Sequence, residues 1–246
     1  MNDAWPRRMS ERAGLCAVVP VKLFSRTKRR LISLLSWHER EALAHAMLED
    51  VLFALTHAPS PAGVAVITGD ATAAAVAHAA GALVIADAEN AGTTAAVMAA
   101  ARHLEKMGRE GMLVIPADVP LITPADVEAI LAAHRIAPSV TLVPAGNDGG
   151  TNALACSPLQ AVPFSFGEDS FRRHREAARA RGIEPTILRL ERVGHDIDRP
   201  SDLASFLRRP SMTHTYAYLT RIKVSERLGP VHHDLCGEPR AEELLP

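Results

Sequence analysis

Apolar residues recur along this chain in two alternating patterns. Short runs rich in Val, Ile and Leu read as buried strands, and stretches with apolar positions three and four apart read as helices. Strands are expected at 15–21, 64–68, 83–86, 112–116, 140–143, 151–156 and 186–190. Between them, Ser36 caps a long helix with Leu43, Met47, Leu48, Val51, Leu52 and Leu55 on one face. Asp70 opens an alanine-rich helix ending at Gly81, and a helix from Thr93 to Lys106 stops at Gly108. Thr123-Pro124-Ala125-Asp126 has a capping residue, a proline at the first helical position and an acid three residues after the cap. A basic helix runs from Ser170 to Gly182, and a short one begins at Pro200. Strands alternating with helices predict an α/β fold, a mostly parallel central sheet with helices on both faces. Residues 1–13 are charged and polar and read as a disordered leader, and 14–210 carry the alternating pattern. After Pro210 the periodicity dissolves, so 211–246 is read as a C-terminal tail.

Composition narrows the function. With 27 basic and 28 acidic residues the net charge is −1, without the basic excess of a nucleic-acid binder. No apolar run approaches the ~20 residues of a membrane span, and the N-terminus lacks a signal-peptide core. Cys16, Cys156 and Cys236 form no CxxC pair, which suits reduced thiols in a cytoplasmic protein. His214, His232, His233 and Cys236 meet no zinc-ligand spacing. The expectation is a cytoplasmic protein without nucleic-acid or membrane partners, with a homodimer left open.

Four features fall at the C-terminal ends of expected strands, where open α/β sheets place ligands. The loop from Lys22 to Arg30 holds Lys22, Arg26, Lys28, Arg29 and Arg30, enough positive charge to neutralise a triphosphate and hold a leaving pyrophosphate. It has no GxxxxGK[ST] and is not a P-loop. Asp118, in Pro116-Ala117-Asp118-Val119-Pro120, follows an apolar strand and suits Mg²⁺ held against phosphate oxygens. Asp196 and Asp198 share one side of an extended segment, and either is a candidate second ligand; Asp202 serves the start of its own helix. Gly149-Gly150-Thr151-Asn152 and Phe166-Gly167-Glu168-Asp169-Ser170 combine glycines with a helix start, which favours an anion. Together they describe a metal-assisted phosphoryl-transfer site with two anion pockets. His174, on the basic helix, is expected to be exposed, and no Ser/His/Asp or Cys/His arrangement suggests a covalent intermediate.

From Ala17 to Phe206 the chain resembles the 2-phospho-L-lactate guanylyltransferase family (CofC/FbiD type) of coenzyme F-420 biosynthesis. The resemblance rests on Pro20-Val21-Lys22 with Ser25, Arg26, Lys28, Arg30 and Leu31; on Leu35-Ser36, Glu39-Arg40 and Met47 to Leu52; and on Asp118 to Leu121. It continues through Gly149 to Leu154, Phe166, Gly167, Ser170, Phe171 and His174, then Asp196, Asp198, Pro200, Asp202 and Leu203. It implies a Rossmann-like nucleotidyltransferase fold, Mg²⁺, and GTP as GMP donor to a three-carbon phosphorylated acid, either phosphoenolpyruvate, 3-phospho-D-glycerate or 2-phospho-L-lactate. It makes Asp118 and Asp198 metal ligands, with Asp196 as the alternative in that segment, places Lys22 and Lys28 on the triphosphate, and assigns the acceptor to Thr151, Gly167 and Ser170; the charge of the basic loop adds Arg30 to the two lysines against the leaving pyrophosphate. Two positions depart from the family pattern: Thr93-Thr94 follow Gly92 in place of Leu-Asn, and Ala117 replaces a glycine. A molybdopterin- or CTP-type enzyme of the same fold and a silent GTP-binding paralogue are the alternatives.

Overall fold

The computed structural model describes residues 14–146 and 149–228; the expected leader, Asn147-Asp148, His232, His233 and Cys236 lie outside the described residues. The chain alternates β1 (Cys16–Val21), α1 (Trp37–His57), β2 (Gly63–Thr68), α2 (Ala71–Ala79), β3 (Leu83–Ala86), α3 (Thr93–Lys106) and β4 (Met112–Val114). It continues with α4 (Pro124–Ala133), β5 (Ser139–Pro144), β6 (Thr151–Ser157), α5 (Ser170–Ala180), β7 (Thr186–Ile187) and α6 (Pro200–Leu207). The strands form one sheet in the order β3-β2-β1-β4-β6-β5-β7. Only β6 opposes its neighbours, so the sheet is mostly parallel, as the alternation predicts.

Period-two alternation within the strands builds two cores. Ala17, Val19 and Val21 of β1 face one side with Val64, Val66 and Leu113, beneath α1 and α2. Cys16 and Val18 face the other with Ala65, Ile67 and Met112, beneath α3 and α5. Burial pushes the Cys16 and Cys156 thiols up to about 12, so both behave as small apolar side chains. No helix among the described residues is long and apolar enough to cross a membrane.

Thr123 and Asp126 complete the expected capping box: Asp126 N–H donates to Thr123 Oγ1 at 3.3 Å, and Thr123 N–H donates to Asp126 Oδ2 at 2.9 Å. Arg192 adds a forked contact, its Nε and Nη2 donating to Asp126 at 2.8 and 2.9 Å. That pair ties the start of α4 to the segment leading to Asp196. Burial works to raise the Asp126 pKa, but Arg192 and Thr123 outweigh it and hold the carboxyl below its usual value. A depressed folded-state pKa gives stability that is full above the unfolded value of about 3.9 and lost as pH falls through the folded one. Arg192→Leu is therefore expected to cost about 1–2 kcal/mol at neutral pH in urea denaturation, the half-exposed guanidinium being partly screened by water, and much less in strong acid. A penalty that is constant with pH would contradict the ion-pair account.

The segment expected to begin the tail differs from its reading. Residues 213–228 contain two further helices, α7 (His214–Arg221), docked on α1, and α8 (Val224–Arg227), packed against α7. Asp50, buried on α1, accepts the N–H groups of His214 and Thr215 at 2.7 and 2.9 Å. Tyr218 Oη donates to Glu39 O at 3.1 Å, and Arg227 pairs with the Glu39 carboxylate at 2.8 Å. Leu219 and Val224 are fully buried. The physical reason is α1 itself, which is apolar on more than the face turned to the sheet.

Candidate active site

The chain order passes from β3 back across β1 to β4, so the connections of β1 and β4 part in opposite directions. A crevice opens there at the strands' carboxyl ends. Lys22 follows β1 directly, and Pro116 to Asp118 follow β4. The basic loop folds into two short 3₁₀ turns, Phe24–Arg26 and Arg29–Leu31. Asp70 anchors the first by accepting Phe24 N–H at 2.8 Å, while also capping α2.

Between the turns Lys28 has φ 51° and ψ 38°, a left-handed conformation that costs a β-carbon residue of order 1–3 kcal/mol. The strained backbone turns its side chain inward, where Nζ lies 2.7 Å from both Asp118 Oδ2 and Asp198 Oδ1. Its side chain is only 4% exposed. Burial pulls its pKa down, but the two carboxylates prevail and hold it above the ordinary lysine value. Asp198 is held below the usual carboxylate range: burial opposes this, and Lys28, Arg30 and Lys22 override it. Arg30 approaches Asp198 at 4.0 Å from the solvent side.

The Asp196–Asp198 segment is fixed by its neighbours. Ile197 N–H donates to Asp118 O at 3.0 Å, joining it to the turn after β4. Asp202 accepts the N–H groups of Asp198 and Arg199 at 3.0 and 2.8 Å, the helix-start role expected of it. Asn152 Nδ2 donates to Asp196 Oδ1 and to Val193 O, both at 3.0 Å. Burial, with the charges of Asp118 and Asp198 adding, moves the Asp196 pKa up to about 6 despite the Asn152 bond.

One cleft of about 540 Å³ is lined by Lys22, Arg30, Asp118, Thr151, Gly167, Ser170, Asp196 and Asp198. Lys28 lines an adjoining cavity of about 320 Å³ that shares Lys22, Arg30, Asp118 and Asp198. The nine residues given a metal, triphosphate or acceptor role in the sequence thus meet at one crevice. A smaller pocket, about 190 Å³, extends it beneath Leu23, Asp87, Asn90 and Gly92. A cavity of about 650 Å³ between α1, α2 and α7 lies outside the carboxylate cluster.

Three details were not legible in the sequence. His174, expected exposed, is fully buried: it lies on α5 behind the cleft wall, in line with Ser170 and Ala178 one turn to either side. At the head of α5, where the sequence favours an anion, the N–H groups of Ser170 and Phe171 are instead taken by Gly167 O and Gly149 O at 3.1 and 3.0 Å. Thr94, at the departure from the family pattern, accepts Phe166 N–H at 3.0 Å and so braces the loop carrying Gly167. Gly149 and Gly167 adopt φ +68° and +118°, which residues with a β-carbon rarely take.

The carboxylates and the buried ammonium define a centre built to hold positive charge against negative ligands. Among the described residues no three His, Cys, Asp or Glu side chains form a ready metal cage. The fold is shared with a putative nucleotide-diphospho-sugar transferase from Desulfovibrio desulfuricans G20, TM-score 0.70 at 17% identity over 88% of this chain and 99% of that one, and with a nucleotidyl transferase from Methanothermobacter, TM-score 0.54 at 17% identity over 78% and 95%. The chain belongs to the guanylyl transferase CofC like family, whose model matches residues 15–232.

Relatives carry three acceptor names. A phosphoenolpyruvate guanylyltransferase of Roseiflexus sp. (strain RS-1) is 40% identical over 197 residues, 80% of this chain and 86% of that protein. A 3-phospho-D-glycerate guanylyltransferase of Phenylobacterium zucineum is 35% identical over 212 residues, 84% and 96% of the two chains. A 2-phospho-L-lactate guanylyltransferase of Methanothermobacter thermautotrophicus is 33% identical over 208 residues, 85% and 91%.

Proposed function

We propose that this protein transfers GMP from GTP to a small phosphorylated three-carbon acid, releasing pyrophosphate, as a cytoplasmic enzyme of coenzyme F-420 biosynthesis. The observation carrying the reading is the single crevice in which Lys28 bridges Asp118 and Asp198 while Thr151, Gly167 and Ser170 face them. Asp118, Asp198 and Asp196 would hold Mg²⁺, which supplies charge neutralisation on the nucleotide phosphates. Lys22, Lys28 and Arg30 bind the triphosphate and stabilise the negative charge gathering on the departing pyrophosphate. The base enters the smaller pocket, where the Asp87 carboxylate matches the N1–H and 2-amino donors of guanine.

An oxygen of the acid's phosphate attacks the α-phosphorus in line. A new P–O–P linkage forms as the bond to the β-phosphate oxygen breaks, and its electron pair leaves with pyrophosphate. The nucleophile is already ionised, so no general base is needed, and the protein's contribution is positioning and charge stabilisation. The three acceptor names among the relatives leave the acid to experiment. GTP and Mg²⁺ are to be incubated with phosphoenolpyruvate, 3-phospho-D-glycerate and 2-phospho-L-lactate in turn, followed by pyrophosphate detection and mass spectrometry. The expected result is a guanylylated adduct with at least one acid. No release with any of them, or turnover with CTP in preference to GTP, would overturn the reading.

A further inference from the structure

His174 does not line the cleft, yet its hydrogen bonds dictate what one cleft residue can recognise. Ser165 N–H, which can only donate, points at Nε2 of the imidazole from 2.9 Å. That nitrogen therefore carries the lone pair, and in the neutral ring Nδ1 carries the hydrogen. Nδ1 lies 3.0 Å from Thr151 Oγ1, so the ring donates to the threonine hydroxyl. Ser170 Oγ donates to the same oxygen at 3.3 Å. Both lone pairs of Thr151 Oγ1 are thereby engaged, and its one hydrogen is left for the cleft. Burial, with Arg173 adding, lowers the His174 pKa to about 4, so the ring is neutral and this polarity holds at neutral pH.

An unconstrained threonine hydroxyl serves as donor or acceptor as its surroundings require. Here it is fixed as a donor, and a fixed donor selects an oxygen that only accepts, such as that of a carboxylate. We propose that His174 is a positioning residue: it locks the Thr151 hydroxyl as a donor to the carboxylate of the acceptor acid, with Ser170 supporting the lock. This rests on the guanylyltransferase reading, in which the acid's phosphate is the nucleophile and its carboxylate is the group left for the far side of the cleft. The Ser170 hydroxyl, having spent its hydrogen on Thr151, shapes the pocket without itself donating to the acid.

The test compares two variants of nearly identical shape. His174→Asn can present an N–H donor near the position of Nδ1, whereas His174→Asp presents an acceptor and draws the Thr151 hydrogen inward. The KM for the acid should stay within a few-fold of wild type in His174→Asn and rise tenfold or more in His174→Asp, with the KM for GTP unchanged in both. In a Thr151→Val background, which has no hydroxyl to orient, the two variants should become indistinguishable. Wild-type transfer is measured first. Its absence with every acid would sink the functional reading, whereas transfer with equal KM values in the Asn and Asp variants would sink this inference alone. A rise in both KM values together would also overturn it, by making His174 a general support of the fold.

Discussion

Asp118→Asn is expected to abolish most guanylyl transfer while leaving the fold in place. The carboxylate bonds Lys28 at 2.7 Å, lies in the turn after β4, and shares the crevice with the Asp196–Asp198 segment. A neutral amide is a poor ligand for Mg²⁺ and a poor partner for the ammonium. Removing a residue that merely supports a metal ligand costs 10–100-fold, so loss of a ligand should cost at least about 100-fold in kcat. Stability should change little, because Lys28 keeps Asp198 at 2.7 Å and is not stranded as an unpaired buried charge. The measurement is single-turnover transfer against Mg²⁺ concentration, with a melting curve alongside. An unaltered Mg²⁺ dependence and near-normal kcat would remove Asp118 from the ligand set. A Tm drop of many degrees would mean that the ion pair serves stability first.

Much of this crevice was legible because its parts are local in sequence. A run of five cations after an apolar strand, an aspartate braced by prolines and a double glycine each declare themselves within ten residues. The fold class follows from the same short-range signals: the helix expected from Thr93 to Lys106 has those bounds, and the Thr123 capping box forms. What stayed hidden depends on partners distant in the chain. Nothing near Lys28 announces that it will meet Asp118 and Asp198, 90 and 170 positions away. The sequence puts His174 at the surface because Arg172, Arg173 and Arg175 make its helix look solvated. The signal that would have placed it is the four-residue spacing of Ser170, His174 and Ala178, three modest side chains on one buried stripe. The expected strand at 186–190 shrank to Thr186–Ile187, since only β5 remains for it to pair with at the sheet's edge.

Removal of residues 211–246 is expected to be severe for stability, the reverse of what a peripheral tail would give. In α7 the buried positions are Thr215, Tyr218 and Leu219, a helical spacing too short to stand out in the sequence but enough to cover one side of α1. Deleting α7 and α8 re-exposes the core surface beneath Tyr218, Leu219 and Val224. Each large apolar side chain contributes about 1.5–3 kcal/mol by burial, so these contacts alone are worth roughly 5 kcal/mol or more. That is a large share of the 5–15 kcal/mol typical of a whole domain. At about 2–4 °C per kcal/mol for a chain of this size, the melting temperature should fall by on the order of 10–20 °C. Asp50→Ala separates the polar part of the docking: it leaves the N–H groups of His214 and Thr215 without their acceptor, and should account for about 1–3 kcal/mol of the loss. If truncation lowered the Tm by only a degree or two, or if Asp50→Ala were silent, α7 would be resting on α1 without stabilising it.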